Sequence, residues 1–289
     1  MVRPDYAGGG FVNLIASVVA ECGGAPRHAR LRDLPAGSLA AARNIILLLI
    51  DGLGDAYLRR EGGGGALLAH RRGALTSVFP STTASAITTS LTGWSPVEHG
   101  MTGWFTYFGE AGCVAAALPF QRRGERAALR ASPEALFRAP ALTAGLARRS
   151  IIVTHRPIVD GTYNLHHCAG AERRAYNTLA ELVEEMVAAV KSGPEAKYIY
   201  AYWPEFDGLS HRHGNASAEV RGHFAELDAA FGELMARLAG TGSAVVATAD
   251  HGFVDSEGAD ALDIADGPGL AGLLRYPLCG EPRAVFCHV

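Results

Sequence analysis

Four short segments of this chain are apolar almost without interruption: "NIILLLID" (44–51), "SIIVTH" (150–155), "KYIYAYW" (197–203) and "SAVVATAD" (243–250). A strand with one face in water alternates polar and apolar residues. A strand that reads apolar at every position must be covered on both faces. That requirement points to a parallel sheet sandwiched between helices, and the intervening sequence supplies the helices. Val220, Phe224, Leu227, Phe231, Leu234 and Leu238 recur at helical spacing, one stripe of an amphipathic helix that stops at Gly240. A second helix is expected through "AERRAYNTLAELVEEMVAAVKSG", with Leu179, Leu182, Met186 and Val190 on one side. A third runs from Phe11 to Ala20 and is stopped at Gly23. Such alternation predicts the α/β class: a three-layer αβα sandwich with a mostly parallel central sheet.

Bulk composition narrows what this sandwich can do. The 289 residues are 48% apolar and 19% charged, enough for a large core in a soluble protein. A formal charge of −3 leaves no basic footprint, which argues against a nucleic-acid polymer as the main partner. The five cysteines are scattered and form no C-x-x-C pair. That usage speaks against a disulfide framework or a thiolate zinc cage and for a reducing, cytoplasmic compartment. The N-terminus has a lone Arg3, then Asp5 and a glycine triplet, unlike an export signal, and no run nears the roughly 20 apolar residues that span a bilayer. No membrane association is expected. Walker A and dinucleotide-binding glycine patterns are absent, and "EGGGG" (61–65) reads as a surface turn.

Ligands of open α/β sheets bind beyond the C-terminal ends of the strands. Here those ends carry Asp51, then Asp207 and His211, then Asp250 and His251. Each has a bland reading: a turn residue for Asp51, a solvated helix face for Asp207 and His211, a turn and a core histidine for Asp250 and His251. Together, carboxylates and imidazoles without thiolate are the donor set of divalent metals, best suited to Zn²⁺, with Mn²⁺ and Fe²⁺ as alternatives. One ion rarely takes five protein donors and a substrate as well. Two ions about 3.5–4 Å apart would use them naturally.

The segment "SVFPSTTASAITTSLTG" (77–93) adds a hydroxyl. Eight of the twelve residues from Ser81 to Thr92 are Ser or Thr, more than a helix cap needs. "SVF" reads as a further strand end, and Pro80 precedes a helix that starts near Ser81 to Thr83. A helix N-terminus favours phosphate oxygens, and metal contact is one way to activate a hydroxyl nucleophile. The competing reading is an N-cap and a polar helix face.

Asp51 after an apolar strand, "FPSTTASAITTSLTG…EHG", D-x-x-x-H and "ADHG", in this order, resemble the alkaline phosphatase superfamily. The branch is that of nucleotide pyrophosphatase/phosphodiesterases and phosphonoacetate hydrolases, and the resemblance runs from about Asn44 to Phe253. It implies an alkaline-phosphatase-like catalytic domain over 1–289 and a small phosphorylated substrate. It also implies metal-dependent hydrolysis of phosphodiester or pyrophosphate bonds through a phospho-threonine. Phosphonates and phosphomonoesters are the secondary substrates, and a non-catalytic metal-binding protein is the rival reading. By the family's F-P-x-x-T segment the nucleophile is Thr83, with Thr82 as the neighbouring alternative. Asp51, Thr83, Asp250 and His251 would hold one metal, Asp207 and His211 the other. Ser85, Thr88, Thr89 and Ser90 are left to helix bonding and packing, and His99, in "SPVEHG", is read as structural.

Two departures accompany the resemblance. Trp104 stands where nucleotide phosphodiesterases carry a phosphate-contacting Asn, so backbone N–H groups near Thr83 would replace it. The family's third ligand to the second metal, a histidine in an H-G segment beyond "ADHG", has no counterpart in the 38 residues after His251. Either His288 takes that role or the domain is C-terminally incomplete, and the second is the expectation, since His288 reads as a packing residue.

Overall fold

The computed structural model describes residues 2–125, 127–255 and 269–289. In chain order the strands are β1 (Asn44–Ile50), β2 (Phe105–Phe108), β3 (Cys113–Ala116), β4 (Gln121–Arg122) and β5 (Arg149–His155). They continue with β6 (Glu172–Tyr176), β7 (Lys197–Trp203), β8 (Ser243–Thr248), β9 (Cys279–Glu281) and β10 (Ala284–Phe286). The helices are α1 (Phe11–Glu21), α2 (Asp55–Glu61), α3 (Ala66–Ala69), α4 (Thr83–Thr92), α5 (Pro96–His99) and α6 (Pro133–Leu136). Then come α7 (Arg156–Val159), α8 (Thr162–His167), α9 (Leu179–Lys191), α10 (Glu205–His213), α11 (Ala218–Leu238) and α12 (Leu270–Leu273).

The central sheet has five strands in the order β6-β5-β7-β1-β8. Every pairing in it is parallel. Its middle strands are buried on both faces because successive side chains enter different cores. Ile45, Leu47 and Leu49 of β1 join Tyr198, Tyr200 and Tyr202 of β7 in a core covered by α1 and α4. Ile46, Leu48 and Ile50 join Ile199, Ala201 and Trp203 on the other side, under α9 and α11. The stripe Val220, Phe224, Leu227, Phe231, Leu234 and Leu238 is buried as expected, and Ser217 caps that helix by accepting the Val220 N–H. The three layers, and α1 as a helix from Phe11, match the sequence reading. A second sheet, β10-β9-β2-β3-β4, is antiparallel and contributes Phe108 and Ala115 to the α1/α4 core.

Two elements differ from the sequence reading. The helix expected through 171–193 begins only at Leu179, and Glu172–Tyr176 is an edge strand, β6. An edge tolerates charge. Arg149 and Arg174 both pair with Glu172 there, and Thr178 then starts the helix by accepting the Glu181 N–H. "SVF" is not a sheet strand. The residue before it, Thr76, makes an isolated bridge with Gly10. Within the segment the Ser77 hydroxyl donates to the Asp250 carbonyl and the Phe79 N–H to the Tyr6 hydroxyl instead of ladder partners.

Candidate active site

β7, β1 and β8 are neighbours and run in the same direction, so the residues that follow them arrive at one edge. Asp51 follows β1 directly, its N–H donating to Trp203 O at 2.9 Å. Asp250 and His251 follow β8, and α10, which begins just after β7, carries Asp207 and His211 one turn apart. Asp51 and Asp250 are 2% and 0% exposed. One donor atom from each of Asp51, Asp250 and His251 lies within 4.8 Å of the others. His251 Nε2 is 3.3 Å from Asp51 Oδ1, 3.5 Å from Asp250 Oδ2 and 3.8 Å from Asp207 Oδ1. Thr83 Oγ1 is 3.1 Å from His251 Nε2 and 3.4 Å from Asp51 Oδ1. His211 is exposed and stands at the mouth, 3.5 Å from Asp207 Oδ1. All six residues singled out in the sequence therefore meet in one place.

Several residues without a sequence signal of their own set this geometry. Gly52 and Gly54 let the end of β1 pass close beneath the "ADHG" turn. A Cβ on Gly54 would lie 2.7 Å from Gly252 Cα, and Gly52 adopts φ +76° with Asp207 Cα 3.2 Å from where its Cβ would be. Asp250 Oδ1 accepts the N–H groups of Gly52 (3.0 Å) and His251 (2.8 Å), tying two strand ends together. Tyr202 donates its hydroxyl to Asp51 Oδ2 at 2.5 Å, which leaves Oδ1 facing Thr83 and His251. Burial, with Asp51 and Asp250 behind it, raises the Tyr202 phenol well above its ordinary range, so it stays a donor. His251 Nδ1–H points to Gly252 O at 3.3 Å, and that bond leaves Nε2 as the lone pair aimed into the site.

The hydroxyl-rich helix divides its work. Thr82, at the N-cap, turns its Oγ1 to Glu281 Oε1 at 2.5 Å, whereas Thr83 faces Asp51 and His251. Thr88 and Thr92 bond carbonyls one turn back, both at 2.7 Å, and Ser90 bonds Ile87 O. Thr88 and Ser90 also reach the phenols of Tyr163 and Tyr200, and Thr89 reaches His99. Ser85 Oγ is buried without a hydrogen-bond partner.

Electrostatically the site concentrates negative charge. Burial raises the Asp51 carboxyl well above the usual range, and Asp250 and Asp207 push it further. Burial also raises Asp207, opposed by His251 and His211 and reinforced by Asp250 and Glu281. Asp207 Oδ1 and Asp250 Oδ2 are buried without a hydrogen-bond partner. Among the described residues the ion-pair partners of the three aspartates are His211 and His251, never a Lys or Arg. Clustered carboxylates with orphaned oxygens and an imidazole lone pair fit a hard or borderline divalent cation.

The remaining sequence candidates lie elsewhere. His288 sits just past β10, exposed, its ring beside Tyr107 and Tyr276 and not with Asp207 and His211. His99 is buried and pushed down to about 4 by burial, and its Nδ1 accepts the Met101 N–H. His167 is likewise pushed down to about 3, packed on Tyr163 and Phe137. The Trp104 N–H donates to Glu281 Oε1 at 2.5 Å. All five cysteines are free thiols.

A family profile described as type I phosphodiesterase / nucleotide pyrophosphatase matches residues 45–267. The chain belongs to that family. This places the chain in the alkaline phosphatase superfamily, in agreement with the sequence resemblance. No curated protein matches it in sequence. Among solved structures it is similar to murine ectonucleotide pyrophosphatase/phosphodiesterase 5, an inactive variant in complex with AMP. That match has TM-score 0.58 and 15% identity over 76% of this chain and 62% of that one. The human counterpart gives TM-score 0.57 and 16% identity with the same coverage. Phosphonoacetate hydrolase from Sinorhizobium meliloti 1021, in complex with phosphonoacetate, gives TM-score 0.48 and 23% identity over 76% of this chain and 59% of that one. The first two likenesses are of fold, and the chain spans 62% of those two proteins' length. No helix among the described residues is long and apolar enough to cross a membrane.

Proposed function

We propose that this chain hydrolyses phosphodiester or pyrophosphate bonds of a small substrate, with Thr83 as the nucleophile. The observation that carries the reading is the position of Thr83 Oγ1. It sits at the first residue of a helix and within 3.4 Å of both His251 Nε2 and Asp51 Oδ1. The N–H groups of the first turn of α4 have no carbonyl partners within the helix, so they favour the phosphoryl oxygens of a substrate. Thr83 Oγ1 attacks phosphorus as the bond to the leaving oxygen breaks, giving a phospho-threonine. Water then cleaves the new P–O bond and restores the hydroxyl. The Thr83 proton faces an acceptor, Asp51 Oδ1, and Tyr202 keeps that carboxylate oriented.

Asp51, Thr83, Asp250 and His251 would hold one divalent cation, and Asp207 with His211 the other, Zn²⁺ being the best match to the donors and Mn²⁺ or Fe²⁺ the alternatives. Bound there, such cations would acidify the hydroxyl and offset charge on the non-bridging oxygens. The free thiols accord with a reducing, cytoplasmic setting, which forms part of this proposal.

Bis-p-nitrophenyl phosphate with added Zn²⁺ or Mn²⁺ tests the reading. Hydrolysis should disappear with chelator and should fall roughly a thousandfold or more in Thr83→Ala, with an unchanged circular dichroism spectrum. Tight binding of one cation equivalent without turnover would instead establish the non-catalytic alternative. A wide preference for p-nitrophenyl phosphate would establish a phosphomonoesterase.

A further inference from the structure

Glu281 was not part of the sequence reading, yet its carboxylate reaches Thr82, the residue next to the proposed nucleophile. Oε1 accepts the Thr82 hydroxyl and the Trp104 N–H, each at 2.5 Å. Thr82 holds the N-cap position of the helix that Thr83 begins, and Trp104 directly precedes β2. The fold is built to bring the carboxylate there. Glu281 ends β9, which pairs with β10 through Ala284↔Glu281 and with β2 through Phe105↔Gly280. Gly103 lies so close to this hairpin that a Cβ on it would sit 2.5 Å from Gly280 Cα. Among the described residues no Lys or Arg pairs with Glu281, whose partners are the Thr82 hydroxyl and the Trp104 N–H. The hairpin thus brings a carboxylate without a cationic partner beside the start of the helix that carries Thr83.

We propose that Glu281 is a specificity-determining residue whose fixed charge beside Thr83 favours a phosphoryl group carrying one negative charge over one carrying two. The inference rests on the phosphoryl-transfer reading above. A phosphodiester is a monoanion, whereas a monoester is largely a dianion above its second pKa of about 6. The carboxylate is one residue removed from the nucleophile, on the order of 8 Å from a phosphorus at Thr83. At that range, in a partly screened site, each extra negative charge is disfavoured about tenfold. A plain anchor for the hairpin would need only an acceptor oxygen, not a charge.

Glu281→Gln separates the two roles, since its amide oxygen still accepts both hydrogen bonds. With the full chain and added Zn²⁺ or Mn²⁺, kcat/KM is measured for p-nitrophenyl phosphate and for bis-p-nitrophenyl phosphate. The monoester-to-diester ratio should rise about tenfold in Glu281→Gln, with unfolding midpoints matching the unmodified chain. A ratio unchanged within about twofold overturns the inference while leaving the phosphodiesterase reading intact. If the unmodified chain turns over neither ester, that reading fails, and the inference is then decided by calorimetric binding of inorganic phosphate and dimethyl phosphate. Selective tightening of phosphate in Glu281→Gln sustains it. Equal changes, or no binding of either anion, overturn it.

Discussion

Replacing Asp51 by Asn removes one ionisable carboxyl from the site while keeping its shape. Asp51 is 2% exposed, and burial together with Asp250 and Asp207 raises its carboxyl well above the ordinary value of 3.8. Without a cation, the folded protein therefore retains a proton that the unfolded chain releases above about pH 4. The associated stability is complete below that pH and is lost as pH rises through the raised folded value, by up to about 1.4 kcal/mol per pH unit. Asp207, raised in the same direction, adds to the loss. In Asp51→Asn the amide oxygen still accepts the Tyr202 hydroxyl, and Asp51's share of the slope vanishes. The chelated variant should thus be about 1–3 kcal/mol more stable than the unmodified chain at pH 7, although most buried substitutions destabilise by about 1 kcal/mol. Urea unfolding followed by circular dichroism at pH 5 and 7 in EDTA measures this. Added Zn²⁺ should reverse the order, because a cation at 100 times its Kd stabilises the unmodified chain by about 2.7 kcal/mol. A chelated protein that grows more stable from pH 5 to 7, or an Asp51→Asn variant less stable than its parent at pH 7, would refute this account of the site.

Other outcomes follow from the supporting residues. Tyr202→Phe deletes the donor to Asp51 Oδ2 and should weaken Zn²⁺ binding about tenfold to a hundredfold by isothermal titration. Gly54→Ala puts a Cβ 2.7 Å from Gly252 Cα. It should lower stability by about 1–3 kcal/mol in urea unfolding and cut kcat/KM for bis-p-nitrophenyl phosphate by more than tenfold, since the "ADHG" turn must shift.

The sheet's inner strands were legible because a doubly covered strand writes its burial into every residue, as "NIILLLI" and "KYIYAYW" do. The stripe of α11 was legible for the same reason, at helical period. β6 was not: "ERRAY" is charged at an edge, and its polar residues merge by eye into the helix that follows. Nor was the second sheet, whose strands are two to four residues long and too short to show a period. Five of the six candidate residues could be named because they follow the ends of apolar strands, and Thr83 because of the F-P-x-x-T segment. Their convergence depends on β7, β1 and β8 being neighbours, an order no local pattern encodes. Tyr202 left a faint trace as the last of three alternating tyrosines on one face of β7. Glu281 left none, since its place beside Thr82 depends on a contact across 199 residues.

Thr83 begins a helix whose residues from Ala84 to Thr92 are all buried. Beyond the first turn, that helix is gripped through hydroxyls by Tyr163, Tyr200 and His99. A helix this short transmits displacement along its axis almost undiminished, at about 1.5 Å per residue of slip. The position of Thr83 Oγ1 is therefore inherited from a seam of phenols and hydroxyls farther along the rod. Under the proposed function, a substitution in that seam would shift Thr83 as well as weaken the fold, which gives a physical reason for so many Ser and Thr residues along one helix.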